Sequence, residues 1–143
     1  MKAITKFLAL AALAVTSLAL AADFPEGSPA FESKLSDALA KAKTEGKPVI
    51  AVYSAVWCPP CQAMKKNVYP SKEIKKFHDK FVWAYIDTDV KENGPDAQKA
   101  GVTGIPHIQF LNKEGKEVDK MVGGTSPDNF ADKLKDVLKK ADK

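Results

Sequence analysis

The stretch Trp57-Cys58-Pro59-Pro60-Cys61 determines how the rest of this 143-residue chain is interpreted. It holds both cysteines of the sequence, and it lies between an apolar run that ends near Ser54 and a lysine-bearing segment with helical spacing. Two cysteines separated by two residues can close into a small disulfide ring with little backbone movement. At the N-terminus of a helix, the first thiol of such a pair can be held as a thiolate. The stretch therefore predicts a redox site.

A purely structural disulfide is the alternative. Structural disulfides in exported proteins usually join segments that are far apart in sequence, whereas Cys58 and Cys61 are neighbours. In the chain-entropy model, a four-residue loop gains only about 2 kcal/mol, against about 3 kcal/mol for a fifteen-residue loop. A domain of this size should not depend on that contribution. The spacing therefore favours redox chemistry over a structural link.

The first 22 residues are typical of a secretory signal peptide. A basic start, Met1–Lys6, precedes the uncharged apolar run Phe7–Ala22, and Ala19-Leu20-Ala21 has the small-x-small pattern of a cleavage site. An uncleaved membrane anchor is the alternative, but the run of sixteen residues falls short of the ~20 needed to span a bilayer. We expect cleavage near Ala21 or Ala22, export to the periplasm, and one domain over residues 23–143.

The composition is that of a single globular domain, with 45% hydrophobic and 28% charged residues. All 22 basic residues are lysines and are scattered among 18 acids. Because no arginine is available for bidentate phosphate contacts, nucleic-acid binding has no support. Without the first 22 residues the formal net charge falls from +4 to +2. We expect a monomer.

The remaining pattern predicts alternating helices and strands after a disordered or weakly extended leader at 23–27. The apolar run Val49–Tyr53 is typical of a central strand covered on both faces. A helical crossover to a second strand makes a right-handed parallel unit. The predicted elements are a helix starting at Ser28-Pro29 and ending at Gly46, a strand at 49–53, a helix from the cysteine pair to Tyr69-Pro70, a short helix after Ser71, a strand at 81–86, a helix closed by Gly101, a hairpin with strands 108–111 and 117–122, and a last helix from Ser126-Pro127.

Four motifs in this order resemble those of the thioredoxin superfamily, and the resemblance covers essentially all of the chain after the signal peptide. They are Trp57-Cys58-Pro59-Pro60-Cys61, Ile86-Asp87, Gly101-Val102-Thr103-Gly104-Ile105-Pro106 and Val122-Gly123-Gly124. The segment Val68-Tyr69-Pro70-Ser71 is similar to exported thioredoxin-like proteins and to the C-terminal domain of membrane thiol:disulfide interchange reductases. The resemblance implies an α/β thioredoxin-like fold, with a mixed sheet of four to five strands and helices on both faces.

The resemblance also implies the roles of the site residues. Cys58 would attack a disulfide, Cys61 would resolve the mixed disulfide, and the Ile105–Pro106 bond would be cis beside the sulfurs. From the sequence alone, a trans turn would be the expectation at Ile105–Pro106. Trp57 is expected to cover one side of the dithiol, with a plain core aromatic as the alternative. The supporting residues of the predicted site are Trp57, Pro59, Pro60, Ile105 and Pro106.

Three positions depart from the family pattern. Val52 occupies the place of a buried aspartate that helps to deprotonate the resolving thiol, and Trp83 occupies the place of its lysine partner. Pro59 stands where glycine is usual, which removes one backbone donor near Cys58. We therefore expect a less stabilised thiolate and a disulfide that is harder to reduce.

His107 follows the predicted cis-proline directly, and two interpretations remain open. Its imidazolium could tune the thiolate near neutral pH, or it could be a histidine packed on a strand or at the surface. The leading prediction for function is an exported thiol–disulfide oxidoreductase acting on exported protein disulfides, with a membrane thiol reductase as electron donor. The alternatives are a disulfide-donating oxidant, a Cu(I)-handling module and a redox-inert binding domain. No resident metal or cofactor is expected.

Overall fold

The computed structural model describes residues 23–143, so the predicted signal peptide at 1–22 lies outside the described residues. Among the described residues, no helix has the length and apolar character needed to cross a bilayer. Two short 3-10 turns, His78–Lys80 and Lys91–Asn93, flank the third strand. The other elements are β1 (Phe31–Glu32), α1 (Leu35–Glu45), β2 (Val49–Ser54), α2 (Pro59–Asn67), α3 (Lys72–Lys75), β3 (Val82–Asp87), α4 (Gly94–Lys99), β4 (His107–Leu111), β5 (Glu117–Val122) and α5 (Pro127–Ala141).

The five strands form one mixed sheet in the order β1-β3-β2-β4-β5. β3 is parallel to both β1 and β2, whereas β4 is antiparallel to β2 and β5. All six residues of the central strand β2 are buried, as its continuous apolar run predicts. The expected α/β architecture is confirmed, with five strands.

Side chains of β2 alternate between two apolar layers. Ile50 and Val52 belong to the layer that contains residues of α2, α3 and α5. Ala51 and Tyr53 belong to the other layer, with residues of α1 and α4. This alternation follows from the two-residue period of a strand. Helices therefore cover both faces of the sheet.

The predicted helix start at Ser28-Pro29 is wrong. Phe31–Glu32 is the strand β1, which pairs in parallel with Trp83 and Ala84, and α1 begins only at Leu35. Extended backbone places the Phe31 ring against three aromatic rings, those of Tyr69, Trp83 and Tyr85, at centroid distances of 5.5 to 5.9 Å. This tertiary packing prevails over the helical spacing of the local sequence.

The predicted disordered or weakly extended leader at 23–27 is also wrong. The ring of Phe24 stacks on Phe31 at 4.5 Å and meets Tyr85 edge-on at 5.0 Å. The Lys65 ammonium lies 4.4 Å from the Phe24 ring centroid, within the range of a cation–π contact. The turn-forming residues around Phe24 predict a loop correctly, but one aromatic side chain fastens that loop to the sheet.

His107 lies in the layer that contains Tyr53. The two residues face each other across β2 and β4, with their ring centroids 5.8 Å apart. His107 is 1% exposed, and neither ring nitrogen has a hydrogen-bond partner within residues 23–143. Burial lowers the pKa of His107, the positive charge of Lys120 lowers it further, and Glu117 opposes both effects. These effects together lower the pKa of His107 and favour the neutral ring.

Replacing Phe31 with alanine should reduce the free energy of unfolding by about 3 to 5 kcal/mol, because it removes a ring that is 9% exposed and leaves a cavity among aromatics. Denaturant titration provides the measurement. Val56→Ala is the matched control: this side chain is 76% exposed, and its loss should change stability by less than about 0.5 kcal/mol. A Phe31→Ala loss below about 1 kcal/mol would contradict the assignment of β1 to the core.

Acidification should destabilise the protein through His107. The folded-state pKa of His107 lies below its unfolded value of about 6.5, so below that pH the unfolded chain binds more protons than the folded one. Stability should therefore fall as the pH drops through about 6.5 and level off below the folded-state pKa. His107→Phe keeps a ring against Tyr53 but cannot titrate, so its unfolding free energy should fall less between pH 7 and pH 5. Parallel curves for parent and variant would show that His107 has no part in the pH dependence.

Candidate active site

The cysteine pair lies where the central strand ends and α2 begins. Cys58 is the N-cap residue of α2, and its amide donates to the Ala55 carbonyl at 3.3 Å. Cys58 and Cys61 are joined in a disulfide with their Cα atoms 5.2 Å apart, and they are 3% and 1% exposed. The buried strand thus places both sulfurs at the carboxyl edge of the sheet.

The start of α2 supplies few amide donors to the Cys58 sulfur. Pro59 and Pro60 occupy the first two helical positions and have no N–H group. The Cys61 amide, at the third position, donates to Cys58 Sγ at 3.3 Å. A side chain at the N-cap normally accepts from the amide of the second or third helical residue. Here the third residue alone can donate, which limits the stabilisation of negative charge on Cys58.

The loop before β4 packs against the dithiol. The Ile105–Pro106 peptide bond is cis, as the resemblance implies, and Cys58 Sγ lies 3.7 Å from the Ile105 carbonyl oxygen. Ile105 packs against the buried cluster of Ala55 and the two cysteines. Two segments distant in sequence therefore meet at the sulfurs.

The glycines after β5 complete this surface. The Gly123 amide donates to the Pro106 carbonyl at 2.8 Å. A Cβ atom on Gly124 would lie 3.5 Å from the Cβ of Pro60, in ordinary van der Waals contact. The exit from β5 thus lies beside both the cis-proline loop and the first turn of α2.

Trp57 is a surface residue, so the alternative of a core aromatic is excluded. Its side chain is 66% exposed, and its Nε1 donates to Asp89 Oδ2 at 2.8 Å. Asp89 is positioned by its own amide, which donates to Asp87 Oδ1 at 2.8 Å. The loop after β3 thereby fixes the indole of the residue that precedes Cys58.

Sequence reasoning missed two residues of this site. Asp89 fixes the Trp57 indole, and Gln62 Nε2 donates to the Ala55 carbonyl at 3.1 Å, which ties α2 to the active-site loop. The Asp87-Thr88-Asp89 sequence signals a turn in which a side chain accepts a backbone amide. The tryptophan partner could not be read from it, because Trp57 and Asp89 are 32 positions apart.

The positions of the usual acid and lysine are apolar and buried. Val52 is 1% exposed and Trp83 is 2% exposed, and both belong to the layer behind α2. Trp83 Nε1 donates to the His78 carbonyl at 3.2 Å, which satisfies its polar atom within the core. Neither residue can accept a proton from Cys61.

Within residues 23–143, neither ring nitrogen of His107 has a hydrogen-bond partner, so His107 is not hydrogen-bonded to either sulfur. His107 packs on Tyr53, whereas the cysteines cluster with Ala55 and Ile105. Of the two interpretations of His107, the structure therefore supports a histidine packed on a strand. Within residues 23–143, no group of three or more histidine, cysteine, aspartate or glutamate side chains is arranged to hold a metal ion.

Comparison with known proteins agrees with this geometry. A family model described as a thioredoxin-like domain matches residues 35–138. The chain is 34% identical over 94 residues to the chloroplastic thioredoxin-like protein HCF164 of Oryza sativa subsp. japonica, a match covering 66% of this chain and 35% of that protein. It is 32% identical over 108 residues to the thiol:disulfide interchange protein DsbD of Vibrio cholerae, covering 71% of this chain and 18% of that protein.

The fold is also similar to a solved structure. The solution structure of a thioredoxin from Thermus thermophilus aligns with a TM-score of 0.71 and 25% identity, over 80% of this chain and 90% of that one. The alignments with HCF164 and DsbD span only 35% and 18% of those longer proteins, so the likeness concerns a part of each. The matched family model, the five-stranded sheet and the cysteine pair together show that the chain belongs to the thioredoxin-like domain family, within the thioredoxin superfamily.

Proposed function

We propose that this protein is an exported thiol–disulfide oxidoreductase whose Cys58-Pro59-Pro60-Cys61 dithiol reduces or exchanges disulfides in exported proteins. The observation that carries the proposal is the position of Cys58. Its sulfur lies at the start of α2, paired with Cys61 and 3.7 Å from the Ile105 carbonyl oxygen of the cis-proline loop. Family membership supports the same chemistry.

In the proposed reaction, the Cys58 thiolate attacks one sulfur of a substrate disulfide. The substrate S–S bond breaks, the second substrate sulfur leaves as a thiolate, and that thiolate takes a proton from water. Cys61 then loses its proton and attacks the Cys58 sulfur of the mixed disulfide. The bond to the substrate breaks, the Cys58–Cys61 disulfide forms, and two electrons have passed to the substrate.

The proton of Cys61 needs an acceptor in this scheme. Val52 and Trp83 are apolar, so the internal acid–lysine pair of the family pattern is absent from these two positions. We infer that water or a group on the bound substrate accepts the proton. The second step should therefore depend on how the substrate covers the site.

A continuing reductase needs a source of electrons, because each turnover leaves Cys58 and Cys61 oxidised. We propose a membrane thiol reductase as the donor and the periplasm as the location. The apolar segment at 7–22 and the similarity to DsbD, a thiol:disulfide interchange protein, support these assignments. We propose that the mature protein comprises residues 23–143 and acts as a monomer.

The start of α2 favours a reductant over a disulfide-donating oxidant. A strong oxidant stabilises its reduced form, which requires a well-stabilised thiolate. Two prolines leave the Cys61 amide as the donor to the Cys58 sulfur, so this stabilisation is limited. A Cu(I)-handling module and a redox-inert binding domain are the alternatives from other classes, and the next experiment separates them.

Cys58→Ser should reduce insulin reduction to the uncatalysed rate, because it removes the attacking sulfur. Cys61→Ser should instead accumulate a mixed disulfide with the substrate, since the resolving thiol is missing. Mass spectrometry of the trapped species and copper content after purification complete the measurement. Stoichiometric copper lost in both variants would favour metal handling, and unchanged insulin reduction in Cys58→Ser would contradict the proposed function.

Pro59→Gly should make the redox potential of the dithiol more oxidising, because it adds a backbone N–H to the first turn of α2, whose dipole favours negative charge on Cys58. A charge near a helix N-terminus gains about 0.3 to 1 kcal/mol, which corresponds to roughly 5 to 20 mV for a two-electron couple. Equilibration against glutathione provides the measurement. Pro127→Gly is the matched control, because Pro127 holds the same first position in α5, far along the chain from the sulfurs. An unchanged or more reducing potential for Pro59→Gly would refute the argument.

A further inference from the structure

We propose that a groove beside Trp57 binds an apolar side chain of the substrate together with a neighbouring basic residue, about three to five residues from the substrate's reacting cysteine. This inference rests on the proposed function and adds a class of substrate to it. The groove has a volume of about 540 Å³, and we call it the Phe24 groove. Its lining includes Phe24, Val56, Lys65, Tyr85, Val90 and Glu92.

The floor and walls of the Phe24 groove are apolar and accessible. Val56 is 76% exposed and Val90 is 43% exposed, and the rings of Phe24 and Tyr85 are half-buried between them. Among residues 23–143, the large hydrophobic side chains that are exposed are Val56, Trp57, Val90 and Val122, and the first three belong to this flank of the dithiol. Covering such surface with an apolar side chain is favourable.

Acids outnumber lysines in the lining of the Phe24 groove, although the chain as a whole is basic. Asp23, Asp87 and Glu92 belong to the lining, and Asp89, which lies between Asp87 and Val90 in the chain, accepts a hydrogen bond from Trp57. None of these four acids forms a salt bridge within residues 23–143. The lining also holds two lysines, Lys34 and Lys65, and the Lys65 ammonium lies over the rings of Phe24 and Tyr85. Because the three lining acids outnumber the two lysines and form no salt bridge within residues 23–143, the lining favours a basic residue beside the apolar one.

The Phe24 groove lies within two residues of Cys58 along the chain. Val56 precedes Cys58 by two residues, which limits their Cα separation to about 7 Å. An extended peptide advances about 3.3 Å per residue. A substrate whose sulfur meets Cys58 would therefore reach the floor of the groove within a few residues.

One wall of the Phe24 groove comes from outside the matched family region. Phe24 precedes residues 35–138, to which the family model extends, and it is held in place by Phe31, Tyr85 and Lys65. Substrate selection at this groove thus depends in part on residues that precede the matched region, and not on the dithiol alone. The two can be separated experimentally.

The test uses the reduced 23–143 chain and synthetic peptides whose single cysteine carries a thionitrobenzoate disulfide. The peptides carry Leu-Lys, Ser-Lys, Leu-Glu or Ser-Glu four residues before or after the cysteine. Attack by Cys58 releases thionitrobenzoate, whose absorbance gives the second-order rate constant. We expect Leu-Lys peptides to react roughly tenfold faster than Ser-Glu peptides. Free cysteine carrying the same leaving group measures the chemistry without the groove.

Variants assign the selectivity to the groove. The double variant Val56→Ser, Val90→Ser should lose most of the preference for leucine, and Glu92→Lys should lose most of the preference for lysine. Glu114→Lys changes the net charge equally at the turn between β4 and β5, and it should retain both preferences. All variants should react with the free cysteine derivative at the parent rate, because none alters the cysteines or the cis-proline loop.

Each outcome decides between the two proposals. Absence of reaction with the free cysteine derivative would refute the proposed function. Normal reaction with that derivative but equal rates for all peptides would overturn the groove and leave the proposed function standing. Equal effects of Glu92→Lys and Glu114→Lys would assign the charge preference to the whole protein and overturn its place in the groove. A dimer in sedimentation that the double valine variant disrupts would show that a second copy occupies the groove, which would also overturn the proposal.

Discussion

Burial of β2 on both faces is the constraint on which the arrangement of the site depends. Every residue from Val49 to Ser54 is buried, and the side chains alternate between the two layers. A strand held in this way has one register with each neighbour, because a shift by one residue would exchange its faces. The end of β2 is therefore fixed relative to both β3 and β4. That strand end sets the position of the Cys58 sulfur and therefore also its contact with the Ile105 carbonyl.

Much of this arrangement could be predicted from the sequence, because it depends on short sequence patterns such as an apolar run, a helix N-cap and the cysteine spacing. The apolar run at Val49–Tyr53 indicated the central strand, and Ser126-Pro127 indicated the start of α5, where Ser126 Oγ accepts from the Asn129 amide at 3.3 Å. The cysteine spacing indicated a disulfide at a helix start, and Cys58 is indeed the N-cap of α2. In each case the residues that carry the signal are close together in the chain.

The features that could not be predicted depend on contacts between distant residues. Phe31 fits a helical pattern with Leu35, yet the rings of Tyr69, Trp83 and Tyr85 draw it into a strand. Phe24 stands among turn-forming residues, and only the presence of Phe31 and Tyr85 makes it part of the core. The partner of the Trp57 indole, 32 positions away, belongs to the same class. The direction of His107 was open for a related reason, since alternation along a strand does not say which face is which.

The residues around the dithiol provide no base for Cys61 and few amide donors for Cys58, and both features connect proton transfer with substrate binding. The apolar side chains of Val52 and Trp83 provide no base behind Cys61, and the two prolines limit the amides available to Cys58. Both effects disfavour charge on the sulfurs while the site is exposed to water alone. A bound substrate displaces water from the dithiol and lowers the local dielectric constant, which strengthens the remaining contact between the Cys61 amide and Cys58 Sγ but also raises the cost of charge on either sulfur. Under the proposed function, we therefore expect the surface around Trp57, held by Asp89, to influence the chemistry through how completely a substrate covers the sulfurs.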